Sequence, residues 1–367
     1  MPTISTSQAR AEFTSMCVDV FRTQLPASNF LRSGFKTVQE YVKYLSIQVE
    51  KNSEPTAVDV LRGTEGNRNN FSITREKVFE PPYYSEVIEL TDIDLYDRLF
   101  GSTAIDEGIY SQLIATVAMR MGQLRDKIER SYEKQVAEIY MLGTTTFSQA
   151  TSINWGRAAG SLVANGAGNT WATNTVDPFE TIAAGCQYVR QQGKSGDYIM
   201  DCYMGQTAAS NLMNNTIFKE RVFQNLNNNI DVLAPASRNA AGANWIGQLT
   251  CGAYKVNLWT YPQSYDVIGG TALAPTITPT PYLDDKKIVI TPTNKHFKLG
   301  FAAVPQVLVE SGASNGNLPS LAPLQAQPYV VDQYVDQMNS SHKMRIKSAG
   351  LAIPTAVDQM YTVQVVA

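Results

Sequence analysis

From Leu113 to Ile139 the apolar residues step by three and four: Leu113, Val117, Met121, Leu124, Ile128, Tyr132, Val136 and Ile139 form one stripe. That spacing is one face of an α-helix. It predicts a helix over 106–142, stopped by Gly143. At ~1.5 Å per residue the helix is about 55 Å long, more than the width of a small domain. Arg120, Arg125, Lys127, Arg130 and Lys134, mixed with Asp126, Glu129, Glu133 and Glu138, read as its solvated side. Asp126 and Arg130 stand at the (i, i+4) spacing of a helical ion pair. The stripe is not a strict heptad, so a strut in an elongated protein fits better than a coiled coil.

Other periods flank this helix. Phe13, Met16, Val20 and Phe21 are helically spaced, Pro26 ends them, and the chain to Phe35 has no clear period. Val58-Asp59-Val60 and Phe71-Ser72-Ile73 alternate as strands do, around a polar Gly/Asn-rich tip from Arg62 to Asn70. Phe79-Glu80-Pro81-Pro82-Tyr83-Tyr84 must be extended, because its prolines cannot continue a helix. A two-stranded ribbon cannot bury both faces by itself. It needs a surface on its own domain or on a neighbour.

Asp177-Pro178-Phe179-Glu180 is a helix start, with a capping aspartate, a proline at the first helical position and a glutamate able to reach back. That helix is expected to run to Gln192. Helices are also expected at 207–214 and 216–223, and strands at 198–203, 253–261, 287–291, 296–303 and 307–310. Together they describe an α+β domain over 177–310. The segments 227–244, 262–281 and 311–328 read as long loops. Strand-like alternation returns from Tyr329, as in Met344-Arg345-Ile346-Lys347 and Tyr361-Thr362-Val363-Gln364-Val365.

Composition narrows the chemistry. Across 367 residues, 30 Lys+Arg oppose 33 Asp+Glu, a net charge of −3, which argues against a dedicated nucleic-acid binder. Charged residues are 17% of the chain, against ~25% in ordinary domains. So low a share suits a surface that meets protein more than water. No apolar run reaches the length of a membrane span, and the N-terminus lacks a signal-peptide pattern, so a cytosolic product is expected. Cys17, Cys186, Cys202 and Cys251 lie far apart and read as reduced, buried thiols. His296 and His342 cannot build a multi-histidine metal centre. Gly193-Lys194-Ser195 imitates the end of a P-loop, but Tyr188 stands where the motif needs glycine, and a helix precedes the segment instead of following it. Asp284-Asp285-Lys286-Lys287 reads as a solvated turn. No catalytic residue, cofactor site or metal site is assigned.

Four patches carry a resemblance: Phe79-Glu80-Pro81-Pro82-Tyr83-Tyr84; Ile128-Glu129-Arg130-Ser131-Tyr132-Glu133 running to Leu142-Gly143-Thr144; Trp171 before Asp177-Pro178, with the strand and helix from Tyr198 to Asn214; and Ser348-Ala349-Gly350-Leu351-Ala352-Ile353-Pro354 with Val357-Asp358. In this order and spacing, which span most of the chain, the sequence resembles the major capsid proteins of tailed phages, the lambda-like capsid protein E family.

The resemblance implies an HK97-like α+β capsid fold: an N-terminal arm at 1–35, an extended loop at 49–90, a peripheral domain at 91–176 with spine helix 106–142, an axial domain at 177–310, and 329–367 completing the peripheral domain. The loop at 262–281 is longer than the family pattern requires. The implied function is structural, with copies assembling as hexamers and pentamers of an icosahedral shell around double-stranded DNA. Self-association is the main partnership. A separate scaffolding protein, a portal and a decoration protein are further partners, and no membrane is involved. DNA contact would be non-specific, through the spine's basic residues or Arg22, Arg32 and Lys36. The protein would reside in the virion after assembly in the host cytoplasm. An isopeptide between Lys77 and Asn339 can be posed on residue type and is given no weight. Two alternatives remain: an encapsulin-like bacterial shell protein, and an α+β enzyme of unknown activity.

Overall fold

The computed structural model describes residues 29–49, 75–90, 107–148, 150–164, 170–173, 175–225, 242–271, 274–294, 297–304, 327–336 and 341–366. Outside them lie the expected N-terminal helix with Cys17 and Arg22, the strands at 58–60 and 71–73 with their tip, the strand at 307–310, His296 and Asn339. The side chains of Leu113, Lys77 and His342 also lie outside.

A 3-10 turn at Leu31–Gly34 leads into β1 (Phe35–Gln39), β2 (Leu45–Val49), β3 (Arg75–Phe79) and β4 (Tyr84–Leu90). The long helix α1 (Glu107–Leu142) precedes β5 (Thr144–Thr145), β6 (Ile153–Asn154) and β7 (Leu162–Val163). Next come α2 (Pro178–Gln191), β8 (Ile199–Met204), α3 (Gln206–Asn214), α4 (Thr216–Asn225), β9 (Asn244–Cys251) and β10 (Tyr254–Thr260). The order continues with β11 (Ser264–Thr271), β12 (Ala274–Pro281), β13 (Lys287–Pro292) and β14 (Phe297–Phe301). Last are β15 (Val330–Asp336), β16 (Ser341–Ser348), β17 (Gly350–Pro354) and β18 (Tyr361–Gln364).

The helix α1 spans 36 residues. Val117, Met121, Ile128, Tyr132, Val136 and Ile139 are buried and Leu124 is half-buried. Gly143 ends it in the left-handed region at φ +69°, and its N–H donates to the Ile139 carbonyl at 3.0 Å. A Cβ there would lie 2.7 Å from the Arg157 side chain. Sheets β1-β14-β17 and β15-β16-β4 accompany the helix. Gly350 lets β17 cross close to it, since a Cβ at that position would stand 2.7 Å from the Tyr132 ring.

A six-stranded mixed sheet, β7-β18-β13-β8-β10-β9, separates two cores. Strand alternation sorts its side chains. Met200, Cys202 and Met204 of β8 and Ile288 and Ile290 of β13 join Ile182, Cys186 and Val189 of α2. Tyr203 and Val289 turn to the opposite side and join the core around α1, where Tyr203 meets Tyr140 at 5.9 Å between ring centroids. With both faces covered, β8 and β13 are nearly continuous apolar runs. Asp177 caps α2 by accepting from the Phe179 N–H at 3.0 Å.

The sheets cross the segment limits expected from sequence. The strand β14, expected with 177–310, pairs with β1 and β17, where Phe297 and Phe301 enter the core of α1. At the chain end, β18 pairs with β13 and β7, and Val363 enters the α2 core. The segment 262–281, expected as a loop, is a hairpin: β11 and β12 pair over eight positions. The strand β9 occupies Asn244–Cys251, between the loop expected at 227–244 and the strand expected at 253–261. At the ribbon, β2 pairs with β3 from Leu45↔Phe79 to Val49↔Arg75.

Candidate functional site

No catalytic centre gathers among the described residues, and no group of three His, Cys, Asp or Glu side chains among them could hold a metal ion. Functional geometry lies instead in how residues 29–32, 329 and 362 are fastened to α1 and in how the ribbon is seated.

The first junction corrects the expected solvated face. Glu129, Glu133 and Arg125 are buried, Glu133 completely. Glu133 accepts the N–H of Leu31 at 2.8 Å and of Arg32 at 3.1 Å. These are amides at the start of the 3-10 turn, which have no partner within the turn itself. Glu129 forms an ion pair with Arg32, and accepts from the Tyr329 hydroxyl and from Asn29 Nδ2 at 3.3 Å. Phe30 then enters an aromatic nest, 5.5 Å from Tyr203, 5.1 Å from Trp259 and 5.8 Å from Tyr261. Burial pushes the Glu133 carboxyl up, against hydrogen bonds from Leu31, Tyr261 and Arg32 that pull it back. Two carboxylates one helical turn apart thus hold residues 29–32 and residue 329 on the spine.

A second junction, also missed from sequence, is Arg157. Its Nη1 donates to the Tyr140 carbonyl at 2.6 Å, its Nε to Ser161 Oγ at 2.8 Å and its Nη2 to Thr362 Oγ1 at 2.8 Å. It ties the C-terminal end of α1 to β18. Desolvation lowers its pKa to about 10.

In the sheet β15-β16-β4, Asp332 faces Arg345 across the ladder. It accepts from Arg345 Nε at 2.9 Å and Nη2 at 2.7 Å, and pairs with the buried Lys347. Burial alone would raise the Asp332 carboxyl. The hydrogen bonds and charges of Arg345 and Lys347 outweigh it and hold the group below the usual carboxylate range.

The base of the ribbon is half anchored and half bare. Leu45 is buried, and the Phe79 ring lies tilted against Trp155, 5.1 Å between ring centroids. Tyr41 is 69% exposed and Val78 61%. Beneath lies a cleft of about 990 Å³ between the Pro81-Pro82 turn, Lys134 and Gln135 of α1, and the segment around Phe147. Its one carboxylate, Glu80, is paired with Lys43 at 2.8 Å, so no acid–base couple faces it.

The other singled-out residues are dispersed. Gly193-Lys194-Ser195 follows α2 as a turn, with the positive φ on Lys194, not on the glycine. Asp284 accepts the Lys286 N–H at 3.1 Å and pairs with Lys287 at 3.0 Å, as a turn before β13. Cys186, Cys202 and Cys251 are free and buried around α2, and burial pushes the Cys186 and Cys251 thiols up to about 12. The basic residues do not form an open stripe. Arg32 is bound to Glu129, Lys127 to Glu86 at 2.8 Å and Lys134 to Glu138 at 3.5 Å, while Lys36, Arg120 and Arg130 are exposed. Among the described residues no helix is long and apolar enough to cross a membrane.

No curated protein sequence matches the chain. Among solved structures it is similar to a chain assigned as a prophage capsid protein of Escherichia coli CFT073, at 14% identity, 99% coverage of each chain and a TM-score of 0.60. It is also similar to a phage-related protein of Bordetella bronchiseptica RB50, at 9% identity, 95% coverage of each chain and a TM-score of 0.50. The fold is the HK97-like capsid fold. The family model described as phage major capsid protein E matches residues 23–365, nearly the whole chain. With the spine and the ribbon base, that match makes the chain a member of the phage major capsid protein E family, a structural protein of the virion shell.

Proposed function

We propose that copies of this chain close as hexamers and pentamers into an icosahedral shell around double-stranded DNA. Residues 1–35 act as the arm, 49–90 as the extended loop, 91–176 and 329–367 as the peripheral domain, and 177–310 as the axial domain. Strands β14 and β18 stitch the last two together by exchanging sheets. The observation that carries this reading is the ribbon base. Leu45 and Phe79 fix the β2–β3 pair to its own chain, while Tyr41 and Val78 stay 69% and 61% exposed beside it. Exposed apolar groups beside a base seated in its own core suit a neighbour's surface.

Residues 29–32, the last of the arm, are bolted to the spine by Glu129 and Glu133. A separate scaffolding protein, a portal and a decoration protein complete the particle, which assembles in the host cytoplasm. Packaged DNA meets a few exposed cations such as Lys36, Arg120 and Arg130 through sequence-blind phosphate contacts. The encapsulin-like reading and the enzyme reading have no specific observation in their favour.

Sedimentation of the purified chain tests this. It should run as capsomers, sheets or shells. Because Cys186, Cys202 and Cys251 are free and buried, strong reductant should leave that distribution unchanged. A monodisperse monomer at high concentration, or dissociation on reduction, would be the opposite result.

A further inference from the structure

The hairpin β11–β12 has two unlike edges. Its eight pairs run without a bulge from Ser264↔Pro281 to Thr271↔Ala274, and among the described residues no third strand joins it. Val267 and Ile277 are exposed, at 46% and 62%, and Asp266 is its one charged residue. Near the base Tyr265 rests 5.1 Å from Tyr282. Beyond it, an isolated two-stranded ribbon is marginal.

The register says which backbone groups face outward. The Tyr282 N–H donates to the Gln263 carbonyl at 3.1 Å. Antiparallel pairs alternate between hydrogen-bonded and non-bonded. Ser264/Pro281, Asp266/Pro279, Ile268/Ile277 and Gly270/Pro275 are therefore the non-bonded pairs, and their backbone groups turn to the outer edges. On β12 three of those four positions are prolines, which have no N–H to offer. That edge is closed to strand addition. On β11 the same positions are Ser264, Asp266, Ile268 and Gly270, each with a donor and an acceptor. The hairpin can accept a strand on one side only.

We propose that this open edge pairs antiparallel with β11 of a second copy, giving a four-stranded sheet across a two-fold axis. The proposal rests on the reading of the chain as a shell protein, whose neighbours are copies of itself. A two-fold contact joins identical patches and must be self-complementary. The β11 edge meets that condition. With Ile268 opposite the partner's Ile268, the outward positions coincide and Asp266 falls opposite the partner's Gly270. The two aspartates are thus kept from facing each other, which would repel. The prolines of β12 then stop the sheet from growing further.

Crosslinking of the assembled full-length chain tests this. Directly opposed residues of a bonded pair have Cα atoms ~5.5 Å apart, within reach of a disulfide. Shells of the Ile268→Cys variant should oxidise to a covalent dimer on a non-reducing denaturing gel. Wild type and Ile277→Cys, on the proline edge, should stay monomeric. Ile268→Pro removes an outward N–H without touching the β11–β12 ladder, and should lower shell yield where Ile277→Pro does not. Shells of Ile268→Cys without a dimer band, equal crosslinking at position 277, or full yield from Ile268→Pro would each overturn the edge contact and leave the shell reading standing. If the wild-type chain forms no shells, the shell reading fails and the edge contact with it.

Discussion

Replacing residues 50–74 with a short Gly/Ser turn should abolish shell formation and leave the rest of the chain folded. The replaced segment includes the polar tip from Arg62 to Asn70 and the alternating runs around Val58 and Phe71. It leaves β2 and β3 joined, with Leu45 and Phe79 seated against Trp155 and β17. Among the described residues the cores around α1 and α2 are built from segments on either side of it. A cooperative melt and unchanged circular dichroism would report the fold, and sedimentation the assembly. A chain that unfolds altogether would make the ribbon part of its own core. Normal shells would show that the ribbon makes no essential contact between copies.

Asp332→Ala should destabilise the chain by ~3–5 kcal/mol, the usual cost of removing one partner from a buried ion pair. The change removes the carboxylate paired with Lys347, which is 3% exposed, and the two oxygens that accept from Arg345 Nε and Nη2. The denaturant midpoint should fall accordingly, whereas Lys127→Ala, at an exposed pair with Glu86, should leave it in place. Acidity gives a second signature. The folded pKa of Asp332 lies below its ordinary value of 3.8. Its contribution is therefore fully present above that value and is lost as pH falls through the folded pKa. Glu133 has the opposite sign: its pKa is raised by burial, so protonation in acid adds stability. The acid loss should thus flatten in Asp332→Ala. A variant that keeps both its midpoint and its acid profile would show the triad to be energetically idle.

How much of this was legible in the sequence depends on where each residue's partner lies. The spine stripe could be read because one face stays buried over many turns, and the Asp177 cap because its partner is two residues away. Glu129 and Glu133 could not. They look like any solvated helix carboxylates, and their partners Leu31, Arg32 and Tyr329 are about a hundred or more positions distant. Arg157 was hidden because Tyr140 lies 17 positions before it and Thr362 205 after it, neither at a helical or strand spacing. The hairpin β11–β12 read as a loop because Gly and Pro are turn signals, yet its prolines share one parity and sit on the outer edge. Alternation marked Tyr361–Gln364 as a strand but carries no information on which sheet takes it; pairing with β13 and β7 decides that.

Electron microscopy of the purified chain, negatively stained after concentration, separates a shell protein from a monomer by direct view. Closed or partly closed shells, or arrays of capsomers, are expected, formed by this chain alone or with a scaffold. A field of uniform single-chain particles under every assembly condition would contradict it.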